Sequence, residues 1–243
     1  MPNIELEDLV YTYPNNKEPG FQTLISAKEE FRETISTMSE PVPKRGERFK
    51  QQEYLLRLMK QFDEQLVVWR TGTGKSCGVI SVTEHYKSLI GAMENFRNDP
   101  STPYRHAYVL VKGPGLVQEF KYQLVCKCTD ETYITDTVRK STSESQRRNN
   151  LTRSINTFYT VTTYGSFARE ASQYNDEQFK RKYNHSIFII DEAHNLRSQD
   201  TGKTIIDPKT GNKIVVKQVK RGGILTDVVV EQKLIYDQVH RAF

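Results

Sequence analysis

A parallel α/β fold, with a mainly parallel sheet covered by helices on both faces, is what this 243-residue sequence predicts. Three observations carry that expectation. Ala107–Val111, Phe158–Thr163 and Ser186–Ile190 are short runs rich in apolar and β-branched residues, the pattern of strands buried on both faces. Stretches with apolar residues at three- and four-residue spacing separate them. A further apolar run, Gln65–Trp69, stops at a Gly-rich turn that opens directly into such a stretch.

Taken in order, residues 1–48 read as a polar arm broken by Pro14, Pro19, Pro41 and Pro43, which packs on a domain of residues 49–243. Within the arm, Phe21–Phe31 suggests one helix, with Ala27 and Phe31 on a shared face. Tyr54, Leu55, Leu58 and Met59 mark a helix over Phe49–Phe62, and Gln65–Trp69 is expected as a buried strand. The helix starting at Lys75 shows Val79, Val82, Tyr86, Leu89 and Met93 as a core-facing stripe. After the strand Ala107–Val111 comes a helix with Leu116, Val117, Phe120 and Leu124, then a polar, basic segment, Thr129–Asn150, read as a solvated face or loop. A β-hairpin is expected around Asp207–Asn212, flanked by Thr204–Ile206 and Ile214–Val216, and an amphipathic helix from about Val228 to His240 closes the chain. Right-handed crossovers would place the loops after the parallel strands along one edge of the sheet.

The bulk numbers narrow the function classes. A net charge of +5 allows a polyanionic partner. No apolar run reaches the length of a membrane span, and Met1–Glu5 lacks the blocks of a secretory leader, so no membrane partner is expected. The three cysteines are odd in number, and Cys126 and Cys128 stand too close for a disulfide framework, which points to a reducing compartment.

The chemistry lies in two stretches. Trp69-Arg70-Thr71-Gly72-Thr73-Gly74-Lys75-Ser76 reads as a phosphate cradle. Glycines let N–H groups point inward, the helix N-terminus adds positive potential, Lys75 reaches β- and γ-phosphates, and Ser76 holds Mg²⁺. Trp69 stands where the general pattern G-x-x-x-x-G-K-[ST] has its first Gly. The second stretch is Asp191-Glu192-Ala193-His194, at the end of the run Ser186–Ile190. There Asp191 is placed to hold Mg²⁺, and Glu192 to polarise the water that attacks a γ-phosphate.

These two strings resemble motifs I and II of superfamily 2 helicases, the second in its DEAH spelling. The resemblance implies a RecA-like P-loop NTPase domain with an N-terminal arm and a small β-hairpin insertion, and ATP with Mg²⁺ as cofactors. It implies nucleotide contacts from Thr71, Gly72, Thr73, Gly74, Lys75, Ser76 and His194. One glutamine of the doublet Gln51-Gln52 would read adenine, with Gln52 the favoured one. Lys112-Gly113 and Thr163-Tyr164 stand where motifs Ia and Ib touch a DNA or RNA backbone. The arm Phe21–Phe31, Trp69–Ser76, Val111–Cys128, Thr162–Phe167 and Ile189–Arg197 are similar to helicase-like ATPases of large cytoplasmic DNA viruses. These include the poxvirus early transcription factor small subunit and nucleoside triphosphatase I. That likeness implies a role in viral transcription, RNA polymerase or transcription factors as partners, and a virion and host-cytoplasm location. The chain ends at Phe243 without a motif III or the family's second RecA-like lobe, and so reads as lobe one alone, with weak nucleotide binding expected. A non-enzymatic docking module of a transcription complex and a restriction-type DNA translocase subunit stand as alternatives.

Overall fold

The computed structural model describes residues 13–15, 17–34, 47–70, 72–91, 104–196, 203–206, 213–221, 224–229 and 231–242. The chain divides into two compact units, Met1–Val82 and Thr83–Phe243.

In the first unit, the arm forms two short helices, α1 (Phe21–Ser26) and α2 (Glu29–Arg32), where the sequence suggests one. Lys28 between them is extended (φ −65°, ψ 137°), and this break brings Ile25 and Phe31 onto a common cluster with Leu58, while Ala27 stays exposed. Helix α3 (Lys50–Met59) supplies Leu58 and Tyr54 to that cluster. Phe31 meets Tyr54 edge-on at 5.1 Å between ring centroids, and Phe21 meets Phe62 at 5.3 Å. Burying these rings is what fixes an otherwise polar arm.

The expected strand Gln65–Trp69 does not form. Among the described residues the segment has no ladder partner, and Leu66 and Val68 are 80% and 83% exposed. β-Branched residues favour an extended backbone, but only a paired neighbour makes it a strand. Helix α4 (Lys75–Gly91) follows. Its buried residues are Gly78, Ile80, Val82 and Thr83, and Leu89 is exposed, so the buried face is rotated from the expected stripe; Met93 lies outside the described residues.

The second unit is built on three parallel strands in the order β2-β1-β3: β1 (His106–Val111), β2 (Tyr159–Thr163) and β3 (Ser186–Ile190). Val111 pairs with Thr163 and Leu110 with Ile190, so the three C-terminal ends are nearly flush. The chain moves one way from β1 to β2 and back across β1 to β3. Right-handed connections must therefore put the two sets of crossover helices on opposite faces. The first crossover holds α5 (Pro114–Tyr122), a π-helical turn (Gln123–Cys128), α6 (Asp136–Arg139) and α7 (Glu144–Asn156). The segment read as a solvated face or loop, Thr129–Asn150, contains α6 and the first part of α7, which is a helix with a solvated face. Their sequence hides them because α7 buries only Ile155; it is held by Ser143 accepting from the Gln146 N–H (3.2 Å) and by an Arg148–Glu144 pair at 3.0 Å.

The second crossover holds α8 (Tyr164–Ala171) and α9 (Asp176–Tyr183). Phe167, Ala171, Phe179 and Tyr183 pack with Leu110 and with Val239 of α10 (Glu231–His240). A second, antiparallel sheet runs β4-β5-β6: β4 (Lys203–Ile206), β5 (Lys213–Arg221) and β6 (Ile224–Val229). The hairpin is present, its expected turn Asp207–Asn212 lying outside the described residues, and β6 occupies part of the segment read as the start of the last helix.

Burial depresses the pKa of His106 at the start of β1, where Nε2 lies 2.8 Å from Thr160 Oγ1. A depressed histidine stabilises the fold fully above its unfolded value, near 6.5, and that contribution is lost as pH falls through the folded value. Melting curves from pH 7.5 to 5 should therefore show a falling midpoint whose slope flattens in His106→Asn. An equal slope in both proteins refutes the assignment.

Candidate functional site

In the first unit, the phosphate-loop sequence forms a tight turn that leads into α4. Gly72 and Gly74 have φ of 83° and 81°, the left-handed region glycine enters freely. Thr73 Oγ1 donates to Arg70 O at 2.7 Å, and the Gly78 N–H donates to Gly74 O at 2.9 Å, opening the helix at Gly74. The first turn of α4 therefore begins at Lys75 and Ser76, where a helix presents N–H groups and positive potential. Lys75 Nζ donates to Trp69 O at 3.2 Å, which folds the ammonium back over the loop. Thr71 lies outside the described residues.

Two features hold this turn. Gln51 Nε2 donates to Thr73 O (3.2 Å), and Gln52 Nε2 donates to Gly74 O (3.0 Å), so adjacent residues of α3 grip adjacent carbonyls of the loop. Gln52 is buried, and its Oε1 accepts from the Phe49 N–H at 3.0 Å. Both ends of the Gln52 amide are thus engaged by the protein's own backbone, and reading a base would require releasing them. The other feature is Trp69. A Cβ at Gly78 would stand 3.0 Å from Trp69 Cζ3, so the indole lies against α4 and a larger residue there would have to push it outward. A glycine inside a helix is unfavourable by about 1 kcal/mol against alanine, and that sequence signal could have marked the close approach.

In the second unit, the flush strand ends gather the other expected residues on one sheet edge. Lys112, exposed, and Gly113 follow β1; Thr163 ends β2 and Tyr164 opens α8; Asp191 and Glu192 follow β3. Gly113 and Thr163 are the N-caps of α5 and α8, and Thr163 Oγ1 accepts from the Ser166 N–H at 3.2 Å. Two helix N-termini, with a lysine beside the first, therefore face the same edge, an arrangement suited to phosphate oxygens.

The Tyr164 side chain does not join them. It is 4% exposed, and its hydroxyl donates inward to Asp191 O, leaving only its backbone at the edge. Burial, then the charges of Asp191 and Glu192, push its pKa up to about 12. Asp191 N–H donates to Leu110 O at 3.0 Å. Glu192 adopts φ 57°, unusual for a residue with a Cβ and a strain that clusters at functional sites. Its carbonyl accepts from Asn195 N (2.9 Å) and Asn195 Nδ2 (3.1 Å), which pins the turn before the 3₁₀ segment Ala193–Leu196. His194 Nδ1 lies 3.1 Å from Glu192 Oε2, and both side chains are exposed. Arg197 lies outside the described residues.

Residues 28–220 match the family described as type III restriction enzyme, res subunit. The chain is 26% identical over 212 residues to a candidate helicase of Invertebrate iridescent virus 3, covering 85% of this chain and 20% of that protein. It is 28% identical over 138 residues to a candidate helicase of Frog virus 3, covering 56% of this chain and 13% of that one. A candidate ATP-dependent RNA helicase of Acanthamoeba polyphaga mimivirus is 28% identical over 201 residues, covering 68% of this chain and 17% of the relative. The chain thus spans a fifth or less of the length of these relatives. No solved structure matches it.

Proposed function

Because the chain belongs to the type III restriction enzyme res-subunit family, a helicase-like ATPase family, we propose that it is the ATP-binding lobe of a nucleic-acid-dependent ATPase. The observation that carries this reading is the turn at Gly72 and Gly74 opening into Lys75 and Ser76 of α4, held from behind by Gln51 and Gln52. The donor set fits a Mg²⁺-bound nucleoside triphosphate: glycine backbone and a helix N-terminus for phosphate oxygens, an ammonium, and a hydroxyl. Bound Mg²⁺ supplies charge neutralisation on the phosphate oxygens. In this reading Lys75 would bind the terminal phosphates and Ser76 would hold the metal; for Asp191 and Glu192, the resemblance to motif II implies the roles of a metal ligand and of the group that orients the attacking water. His194 restrains Glu192 through their 3.1 Å contact. Lys112, Gly113, Thr163 and the Tyr164 backbone hold a nucleic-acid strand by its phosphates, which makes binding sequence-blind and salt-sensitive.

The names of the viral relatives support the helicase reading; a role in viral transcription is proposed on the sequence resemblance to poxvirus transcription ATPases alone. A second reading, a restriction-type DNA translocase subunit, is favoured by the family's own description. Turnover stimulated by duplex but not by single-stranded DNA, in a protein that includes the rest of the enzyme, would select it.

Trp69 is the chain's one tryptophan, and it touches the helix that begins at Lys75. Mg²⁺·ATP is expected to change its fluorescence saturably, and Lys75→Ala to weaken that binding at least about tenfold. An unchanged titration in Lys75→Ala refutes the assignment.

A further inference from the structure

Tyr164 is the residue whose placement the proposed roles leave unexplained. It is the first residue of α8, immediately after Thr163, and its backbone belongs to the edge proposed to meet a nucleic-acid strand. Its ring lies in the core cluster with Leu110 and Phe167. Its hydroxyl donates to the backbone carbonyl of Asp191, at the end of a different strand. The sheet order β2-β1-β3 places β1 between the two. With neighbouring strands about 4.7–4.9 Å apart, Tyr164 reaches over the end of the middle strand, a distance of roughly 10 Å that suits a phenol and one hydrogen bond.

The main chain of Asp191 is thereby held from two sides. Its N–H is fixed to Leu110 O on β1, and its carbonyl is fixed to the tyrosine that starts α8. The next residue, Glu192, is in the left-handed region, so a displacement of the Asp191 carbonyl rotates a peptide group shared by both carboxylate-bearing residues.

We propose that Tyr164 is a positioning residue that couples the loop at Thr163–Tyr164 to the Asp191–Glu192 turn, so that strand binding and Mg²⁺·nucleotide binding change each other's affinity. This rests on the functional reading above, and it adds the element through which the two ligands communicate. A packed side chain with one hydrogen bond across a sheet edge is a physical link of the kind coupling requires. Linkage makes its effect reciprocal, with typical factors of about 5- to 150-fold.

The test uses the full chain, a fluorescently labelled oligothymidylate read by anisotropy, and a nonhydrolysable Mg²⁺·ATP analogue read by Trp69 fluorescence. In the wild-type chain each ligand should shift the other's affinity by at least about fivefold. Tyr164→Phe keeps the ring and removes only the hydroxyl. It should reduce that factor below about twofold, whatever its effect on either ligand's separate affinity. Phe167→Leu, a packing change in the same cluster, separates coupling from general loosening and should retain the factor. The proposal is overturned if Tyr164→Phe keeps the full factor, if Phe167→Leu loses as much, or if the wild-type chain binds both ligands with no mutual effect. A wild-type chain that binds neither ligand overturns the functional reading and this coupling with it.

Discussion

Replacing Gly74 with alanine is expected to abolish useful nucleotide binding while leaving the second unit folded. Two effects combine. Gly74 holds φ 81°, where a Cβ costs about 1–2 kcal/mol. That Cβ would also stand 2.6 Å from Gln52 Nε2, closer than any tolerated contact. Gln52 is buried and bonded at both ends of its amide, so it cannot swing aside without breaking its bond to Gly74 O or to the Phe49 N–H. The loop must move, and the N–H groups it presents move with it. An affinity loss of at least about tenfold follows from a displacement worth 1.4 kcal/mol or more. Gly72→Ala is the matched control, because it has the same backbone strain (φ 83°) but nothing within 4 Å of the added Cβ. Titrating both variants through Trp69 should show Gly74→Ala as the more damaging. Equal losses would remove the Gln52 contact from the explanation.

The second large effect is on stability and lies in the second unit. Glu84 on α4 accepts from Tyr133 Oη at 2.5 Å and from Tyr159 Oη at 2.8 Å, and Lys87 Nζ closes the cluster on Tyr133 Oη at 2.5 Å. Tyr159 also shares a 2.6 Å hydrogen bond with Thr83 Oγ1. Both tyrosines are almost fully buried. Burial first, then the Glu84 charge, raises both hydroxyls far above their ordinary pKa, so they remain donors at any working pH. Glu84→Ala removes the charged acceptor of two buried hydroxyls, and hydrogen bonds to a charged group contribute about 1.5–3 kcal/mol each. We expect a loss of about 3 kcal/mol, a drop in melting temperature of roughly 6–12 °C for a protein of this size. Tyr159→Phe, which leaves the Tyr133 bond intact, should lose about half as much. A Glu84→Ala melt within about 2 °C of wild type would show that water replaces the carboxylate.

What could be read in the sequence follows from which residues carry a periodic or chemical signal. The three parallel strands stand out because Val109, Leu110, Val111 and Ile187–Ile190 must be apolar to lie inside a covered sheet. Lys75, Ser76, Asp191 and Glu192 stand out because their spelling is chemical. Helix α7 does not, since twelve of its thirteen residues are not buried and no apolar period marks it. The run Leu66–Val68 looks like a strand because apolarity reports propensity, and propensity says nothing about a ladder partner. The inward turn of Tyr164 and the Gln51–Thr73 bond are contacts between residues distant in sequence, and no local pattern encodes either.

The strand order also has a consequence in time. β1, the middle strand of the parallel sheet, is the first of the three to be synthesised, and its partners end at Thr163 and Ile190. At a ribosomal pace of about 5–20 residues per second, the core-facing side chains of Ala107, Val109, Leu110 and Val111 wait roughly ten seconds before β3 is complete. For that interval side chains that end up fully buried stand on a naked edge, the state that chaperones bind and that aggregation exploits. Slower elongation between residues 111 and 190 would prolong that exposure, and the yield of soluble chain should fall with it.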